Sequence, residues 1–173
     1  MTYELENLIT DCRDALSEGQ STEALEKVCD AMRKILQNPA FVEQHFGKHL
    51  EVGRTTLYHD PDLDFYVYAH IPDGAILSAP HDHASAWAAY GQAVDNTQMT
   101  DWVIPAGEEL PKPVKTYSMT PGTAGFYNVG DLHSIDMPAT SRFLRITATD
   151  IDVLPCQYFD AVDTRKSIAE HLA

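Results

Sequence analysis

The stretch "SAPHDHASAWAAYGQ", Ser78 to Gln92, carries two histidines one residue apart in a run that is otherwise small and apolar. His81 and His83 follow Pro80, with Ile76, Leu77 and Ala79 before them and Ala84, Ala86, Trp87, Ala88 and Ala89 after. An imidazole buried without a partner costs free energy, so a pair in this setting asks for something to share. On a β-strand, residues i and i+2 point to one face, about 7 Å apart along the backbone. Read as a strand, the stretch presents both imidazoles to one side, in reach of one metal ion. Two surface histidines on an exposed strand are the other reading, and the apolar flanks speak against it.

A third imidazole is available in "FYNVGDLHSI", Phe126 to Ile135. There a strand ends at Val129, Gly130-Asp131 turns the chain, and His133 opens the next strand, fifty residues after His83. In a small barrel that separation lets a later strand cross the first pair. Three neutral imidazoles suit Zn²⁺, Fe²⁺, Ni²⁺ or Cu²⁺, whereas Mg²⁺ and Ca²⁺ want oxygen ligands.

Around these motifs the chain has two regimes. Up to about Phe46, apolar residues recur at helical spacing: Leu5, Leu8, Ile9, Cys12 and Leu16, then Leu25, Val28, Cys29, Met32, Ile35 and Leu36. Gly19 divides the two helices, Ser21 or Thr22 caps the second, and Asn38-Pro39 opens a short third one in "NPAFVEQHF". From Val52 onward, short runs rich in β-branched and aromatic residues take over. They are "RTTLYH", "DFYVYAHI", "AWAAYGQAV", "QMTDWVI", "VKTYSM", "GTAGFYNV", "LHSIDM" and "RFLRITATDI", with "CQYFDAV" as a further candidate. The segments between them, such as "DPDL", "PDGA", "TPG" and "MPATS", read as turns. Closely spaced strands without intervening helices indicate an antiparallel sandwich or barrel. At 173 residues the expectation is one domain over 1–173, with helices in 1–46 packed outside a β-barrel over 52–160.

Composition excludes some partners. Twelve basic against twenty-six acidic residues give a formal net charge of −14, which repels phosphate backbones and anionic lipid, so neither nucleic acid nor membrane is an expected partner. The start "MTYELENLIT" has no basic region followed by an apolar run, and a cytoplasmic location is expected. Cys12, Cys29 and Cys156 are too few and too far apart for a disulfide framework, and the first two fall on helical apolar stripes.

Together, "PDGAILSAPHDHASAWAAYG" and "GTAGFYNVGDLHS" resemble the two motifs of the cupin superfamily, with Gly74, His81, His83 and Gly91 matching the first motif and Pro121, Gly125 and His133 the second. The resemblance implies an all-β double-stranded β-helix, an RmlC-like jelly roll, holding a metal through His81, His83 and His133. Many cupins add a glutamate shortly after the paired histidines; here Trp87 and Ala88 occupy that window. The missing acid and the helices before the barrel are similar to the cysteine dioxygenase-like branch of thiol dioxygenases. In that branch an upstream arginine receives the substrate carboxylate, and Arg54 in "VGRTTLY" falls at a similar distance. The chain departs from the branch at Ala88, where mammalian members carry a cross-linking cysteine. It departs again in "RFLRITATD", which lacks the Ser-His-Tyr triad.

The expectation is therefore a mononuclear non-haem Fe(II) dioxygenase using O₂ and a small anionic, metal-chelating substrate. Zn, Ni, Mn or Cu are the other candidate metals. Besides the three histidines, the expected site residues are Arg54 for the anion and Tyr90 and Gln92, which share a strand parity and would face the cavity together. Arg145 alternates with Phe143 and Thr147 and is the second candidate for the anion. Ala84, Ala86, Ala88 and Ala89 are expected to leave the cavity roomy, and His70 to stand behind the ligands. Other readings are a carbon–carbon-cleaving dione dioxygenase, a Zn or Ni isomerase or lyase, and a non-catalytic metal-binding cupin. Oligomerisation is left open.

Overall fold

The computed structural model describes residues 2–150 and 153–159. The end of the candidate strand "CQYFDAV", the last residue of "RFLRITATDI" and His171 lie outside the described residues.

Three helices come first: α1 (Leu5–Leu16), α2 (Thr22–Ile35) and α3 (Pro39–Phe46). Their starts follow from side-chain capping. Ser21 accepts the Ala24 amide at 3.2 Å, and Asn38 Oδ1 accepts those of Ala40 and Phe41, with Pro39 in the first turn. Gly19, between α1 and α2, has φ +116°, a conformation that favours glycine.

Nine strands follow among the described residues: β1 (Gly53–Asp60), β2 (Phe65–Ile71), β3 (Ile76–Leu77), β4 (Ala88–Val94), β5 (Thr97–Val103), β6 (Lys112–Met119), β7 (Ala124–Tyr127), β8 (Leu132–Met137) and β9 (Arg142–Ala148). They form a five-stranded sheet in the order β1-β2-β9-β4-β7 and a four-stranded sheet in the order β3-β8-β5-β6, with antiparallel pairing throughout. This is the jelly-roll arrangement of a double-stranded β-helix. Eight of the nine strands coincide with the runs read from sequence, and β3 is too short to announce itself.

Strand alternation divides the residues between two apolar clusters. Trp87, Ala89 and Ala93 of the β4 region, Phe65, Val67 and Ala69 of β2, and Leu144, Ile146 and Ala148 of β9 meet Leu8, Cys12, Leu25, Val28, Cys29, Met32 and Ile35 from the helices. Each fully buried aliphatic there contributes about 1.5–3 kcal/mol relative to exposure. Small residues on this face of β4 let the helical layer approach: a Cβ on Gly91 would sit 2.7 Å from Leu36 Cδ1 and 3.1 Å from Met32 Cε. The opposite parity, Ala88 and Tyr90 with Met99, Met119, Tyr127, Met137 and Phe143, fills the space between the sheets. Ala89 and Ala86 belong to the helical side, so they do not widen the interior as the sequence reading expects. No helix among the described residues is long and apolar enough to cross a membrane.

Polar ties hold the helical layer to the sheet. Arg142 donates to the carbonyls of Phe46, at 2.7 Å, and of Gly47, and Arg33 donates to the Ala124 carbonyl at 2.8 Å. Asp60, fully buried at the end of β1, accepts from Arg13 of α1, the Tyr58 hydroxyl and the backbone amides of Asp62 and Leu63. Burial pushes this carboxyl upward, but those donors outweigh it and hold the group below its usual range. A depressed folded-state value means a stabilisation that is complete above the unfolded value of about 3.9 and fades as pH falls below it. Asp60→Asn is expected to cost about 1–3 kcal/mol at neutral pH. In urea denaturation, the gap between variant and unaltered protein should narrow as pH falls below about 4.

Candidate metal centre

The site is assembled by one pair of backbone hydrogen bonds. His81 N donates to the His133 carbonyl at 2.9 Å and His133 N donates to the His81 carbonyl at 3.0 Å, an antiparallel bridge between the loop after β3 and strand β8. His83 therefore does not sit on a strand as the spacing predicts. After the bridge the chain turns: Asp82 Oδ1 accepts the Ala84 amide at 2.9 Å, Ala84 adopts φ +50°, and the Ala86 amide returns to the His83 carbonyl at 2.9 Å. The turn swings the second imidazole back toward the first.

The three imidazoles converge. Ring centroids are 4.5 Å apart for His81 and His133, 4.9 Å for His83 and His133, and 5.3 Å for His81 and His83. One ring nitrogen from each lies within 4.8 Å of the others, and all three residues are buried. His81 Nδ1 lies 2.9 Å from the Ala79 carbonyl, which fixes the tautomer and turns the Nε2 lone pair away from that carbonyl. Burial lowers the pKa of all three. His83 is pushed down to about 3 by burial, then by the charges of Arg145 and His81; His133 is driven well below its ordinary value by burial and by the other two imidazoles. At neutral pH the three rings are uncharged and carry lone pairs, the state a metal requires. Their donor set and convergence fit a single divalent transition-metal ion, so the three histidines could hold one.

A cavity of about 370 Å³ opens onto His81 and His83. Ile76, Ile135, Met137 and Phe143 line it with apolar groups, and Leu154, Cys156 and Tyr158 contribute from the segment after β9. That segment is tied down by the Phe159 amide, which donates to the Pro80 carbonyl at 3.0 Å, and Tyr158 stacks on His81 at 5.2 Å. Tyr90 is buried among the imidazoles, its hydroxyl 2.8 Å from His83 Nε2 and 3.5 Å from His133 Nε2. Burial raises the Tyr90 pKa against the opposing pull of Arg145, so the phenol keeps its proton.

Arg145, at β9 opposite Tyr90 of β4, is 8% exposed and reaches into this cavity, its Nη2 3.5 Å from His83 Nε2 and its guanidinium 5.2 Å from the Tyr90 ring centre. Among the described residues no carboxylate pairs with it, and its Nε has no hydrogen-bond partner. Arg54 is elsewhere. It lies over the Tyr68 ring at 4.4 Å, 3.6 Å from Asp150, and is not among the residues lining the cavity. Gln92 does share the inward parity of Tyr90, but its amide donates to the Val94 carbonyl at 2.9 Å and to Ser141 Oγ at 2.7 Å at the closed end of the interior. Of the residues singled out from sequence, the three histidines and Tyr90 come together with Arg145, and His70 lines the same cavity; Arg54 and Gln92 do not. Cys156 and Tyr158 escaped the sequence reading as site residues, because nothing local marks a tail segment that crosses a distant loop.

Two antiparallel sheets in the order of a double-stranded β-helix thus bring together three buried histidines that could hold a metal ion. No family model and no curated protein matches the chain. Among solved structures it is similar to KdgF from Halomonas sp., at 16% identity and TM-score 0.44 over 57% of this chain and 81% of that one. It is also similar to an uncharacterised protein with a double-stranded β-helix domain from Klebsiella pneumoniae, at 12% identity and TM-score 0.44 over 68% and 87%. A third is the DMSP lyase DddQ from Ruegeria pomeroyi, at 11% identity and TM-score 0.44 over 66% of this chain and 57% of that one.

Replacing His81, His83 or His133 singly by Ala should abolish stoichiometric metal uptake while the far-ultraviolet circular dichroism of the β-fold is retained. Elemental analysis after metal loading checks it, and full occupancy in His133→Ala would refute the site. The depressed imidazole pKa values also set a sign for the metal-free protein. Unfolded histidines take up protons below about pH 6.5 while the folded ones resist. Stability of the metal-free protein should therefore decline as pH falls from about 6.5 toward His83's folded value of about 3, measured as the urea midpoint.

Proposed function

We propose that the protein is a cytoplasmic mononuclear Fe(II) dioxygenase, the metal held by His81, His83 and His133, which inserts both atoms of O₂ into a small anionic, chelating substrate. The observation that carries the anionic substrate is Arg145: a buried guanidinium that has no carboxylate partner among the described residues and lies 3.5 Å from a ring nitrogen of the histidine cluster. Such a cation beside a divalent ion is repelled unless an anion lies between them. A planar, forked donor suits a carboxylate in particular.

The bound ion would supply open coordination positions and, as Fe²⁺, the electrons that make O₂ reactive, as in the related two-histidine, one-carboxylate oxygenase sites. Without a protein carboxylate, the site is more positive by one charge than those relatives, which favours an anionic ligand further. The protein's own groups do the rest. Arg145 receives and orients the anion, and Tyr90, protonated and within 2.8 Å of His83, offers a hydrogen bond or a proton to an atom held between the imidazoles. Ile76, Ile135, Met137 and Phe143 exclude water from the apolar part of the substrate. Tyr90 also supports a second reading, in which a redox-inert ion such as Zn²⁺ replaces iron and the phenol serves proton transfer in an isomerase or lyase.

Iron-loaded protein presented with cysteine, 3-mercaptopropionate and an enolisable dione in turn should consume O₂ with one of them. Absence of O₂ uptake across a broad panel of anions, with isomerised or eliminated product instead, would favour the second reading. With the substrate found, Arg145→Gln should raise KM at least about tenfold, the value of a lost charge-assisted contact, with metal content intact. Arg54→Gln should leave KM within about twofold, because a change at a residue outside the cavity has little to act through.

A further inference from the structure

We propose that Tyr127 is a positioning residue for the metal centre: its ring, clamped by Tyr117 and Asp101, fixes the plane of the His133 imidazole. The inference rests on the reading of His133 as a metal ligand and adds to it how that ligand is held.

A metal-binding histidine is ordinarily oriented by a hydrogen bond from its other ring nitrogen to a carboxylate or carbonyl. His81 follows that pattern through Ala79. His133 does not: its Nδ1 is buried without a well-formed hydrogen bond, the backbone at Asp131 giving the ring only a weak contact. What lies against it is Tyr127, with ring centroids 3.9 Å apart and planes only 9° from parallel. Among the described residues His59 and Tyr66 stack at a similar 4.0 Å and 15°, but of the two pairs only Tyr127–His133 is at the histidine cluster.

Tyr127 is held from two sides. Its hydroxyl donates to Asp101 Oδ1 at 3.1 Å and lies 2.8 Å from the Tyr117 hydroxyl, which completes a Tyr117–Tyr127–Asp101 chain. Strand registry makes the clamp stiff. Asp101 of β5 stands directly opposite His133 of β8, and Tyr127 of β7 directly opposite Ala88 of β4. Ala88 leaves room on the inner face for the tyrosine ring to lie flat on the imidazole. The rings of the centre are thereby fixed by different means, His81 by a hydrogen bond and His133 by a clamped stack.

The test uses the full chain with Co²⁺, whose visible absorption reports ligand geometry, and needs no turnover. Tyr127→Leu removes the stacked ring. It is expected to weaken Co²⁺ binding about 10-fold or more, the range found when outer-shell partners of metal ligands are lost, and to shift the visible bands. Tyr127→Phe and Tyr117→Phe keep the stacked ring and remove its anchors; smaller losses of affinity with altered bands are expected from each. Tyr158→Leu, which removes a ring stacked on the already hydrogen-bonded His81, should change affinity less than Tyr127→Leu. Should Tyr127→Leu fail to fold, the two phenylalanine variants carry the test. Unchanged affinity and spectrum in them would overturn the proposal, as would a lower thermal midpoint of the metal-free protein with Co²⁺ binding intact. If the unaltered protein binds no Co²⁺ and no Fe²⁺, the metal reading itself fails and the proposal falls with it.

Discussion

The paired backbone hydrogen bonds between His81 and His133 are the constraint on which the rest of the site depends. They join a loop that leaves one sheet edge to a strand fifty-two residues later, and the tie continues upstream, where the Ser78 amide donates to the Ile135 carbonyl and Ser78 Oγ accepts the Ile135 amide, each at 2.9 Å. Everything that gathers at the cluster is reached from there. His83 returns through the turn at Ala84, Tyr90 enters from β4, Arg145 from the neighbouring β9, and Tyr158 settles on the His81 ring. Because backbone groups make this bridge, side-chain changes around it alter the chemistry of the centre more readily than its location.

The two sides of β4 show how one strand serves two demands. Its outward parity, Ala89, Gly91 and Ala93, is small because α2 and Leu36 press against it. Its inward parity carries Ala88, Tyr90 and Gln92, and each has a distinct neighbour: the Tyr127 ring, the imidazoles, and Ser141 at the closed end. Substituting an outward alanine is thus a matter of helix packing, whereas a change at Ala88 or Tyr90 reaches the centre within one contact.

Local periodicity made most of this legible from the sequence. The helical stripes, their caps at Ser21 and Asn38, the eight longer strands and the convergence of His81, His83 and His133 all follow from patterns a few residues long or from a known motif. The inward parity of Arg145 was legible too, from its alternation with Phe143 and Thr147. What could not be read was which long-range partner each polar group finds. Arg54 has a plausible position until Asp150 and Tyr68 are seen to engage it, and Gln92 has the right parity but is taken by Ser141 and Val94. The loop at His83 reads as strand in the sequence because spacing alone does not distinguish a pleat from a turn that folds back. Tyr127 and Asp101 gave no sequence signal, since their partnership exists only through the registry of strands β5, β7 and β8.

The depth at which Arg145 is buried also has a kinetic meaning. The chain as a whole carries a formal charge of −14, and an anion approaching from solvent meets that charge first. The attraction of a single enclosed guanidinium is felt only after entry. Mobile ions screen the outer repulsion over about 8 Å at physiological salt but hardly reach a pair formed inside the cavity. On the proposed reading, added salt quickens the encounter while leaving the escape rate nearly unchanged, so that binding of the anion strengthens with ionic strength, the reverse of what an exposed ion pair would do.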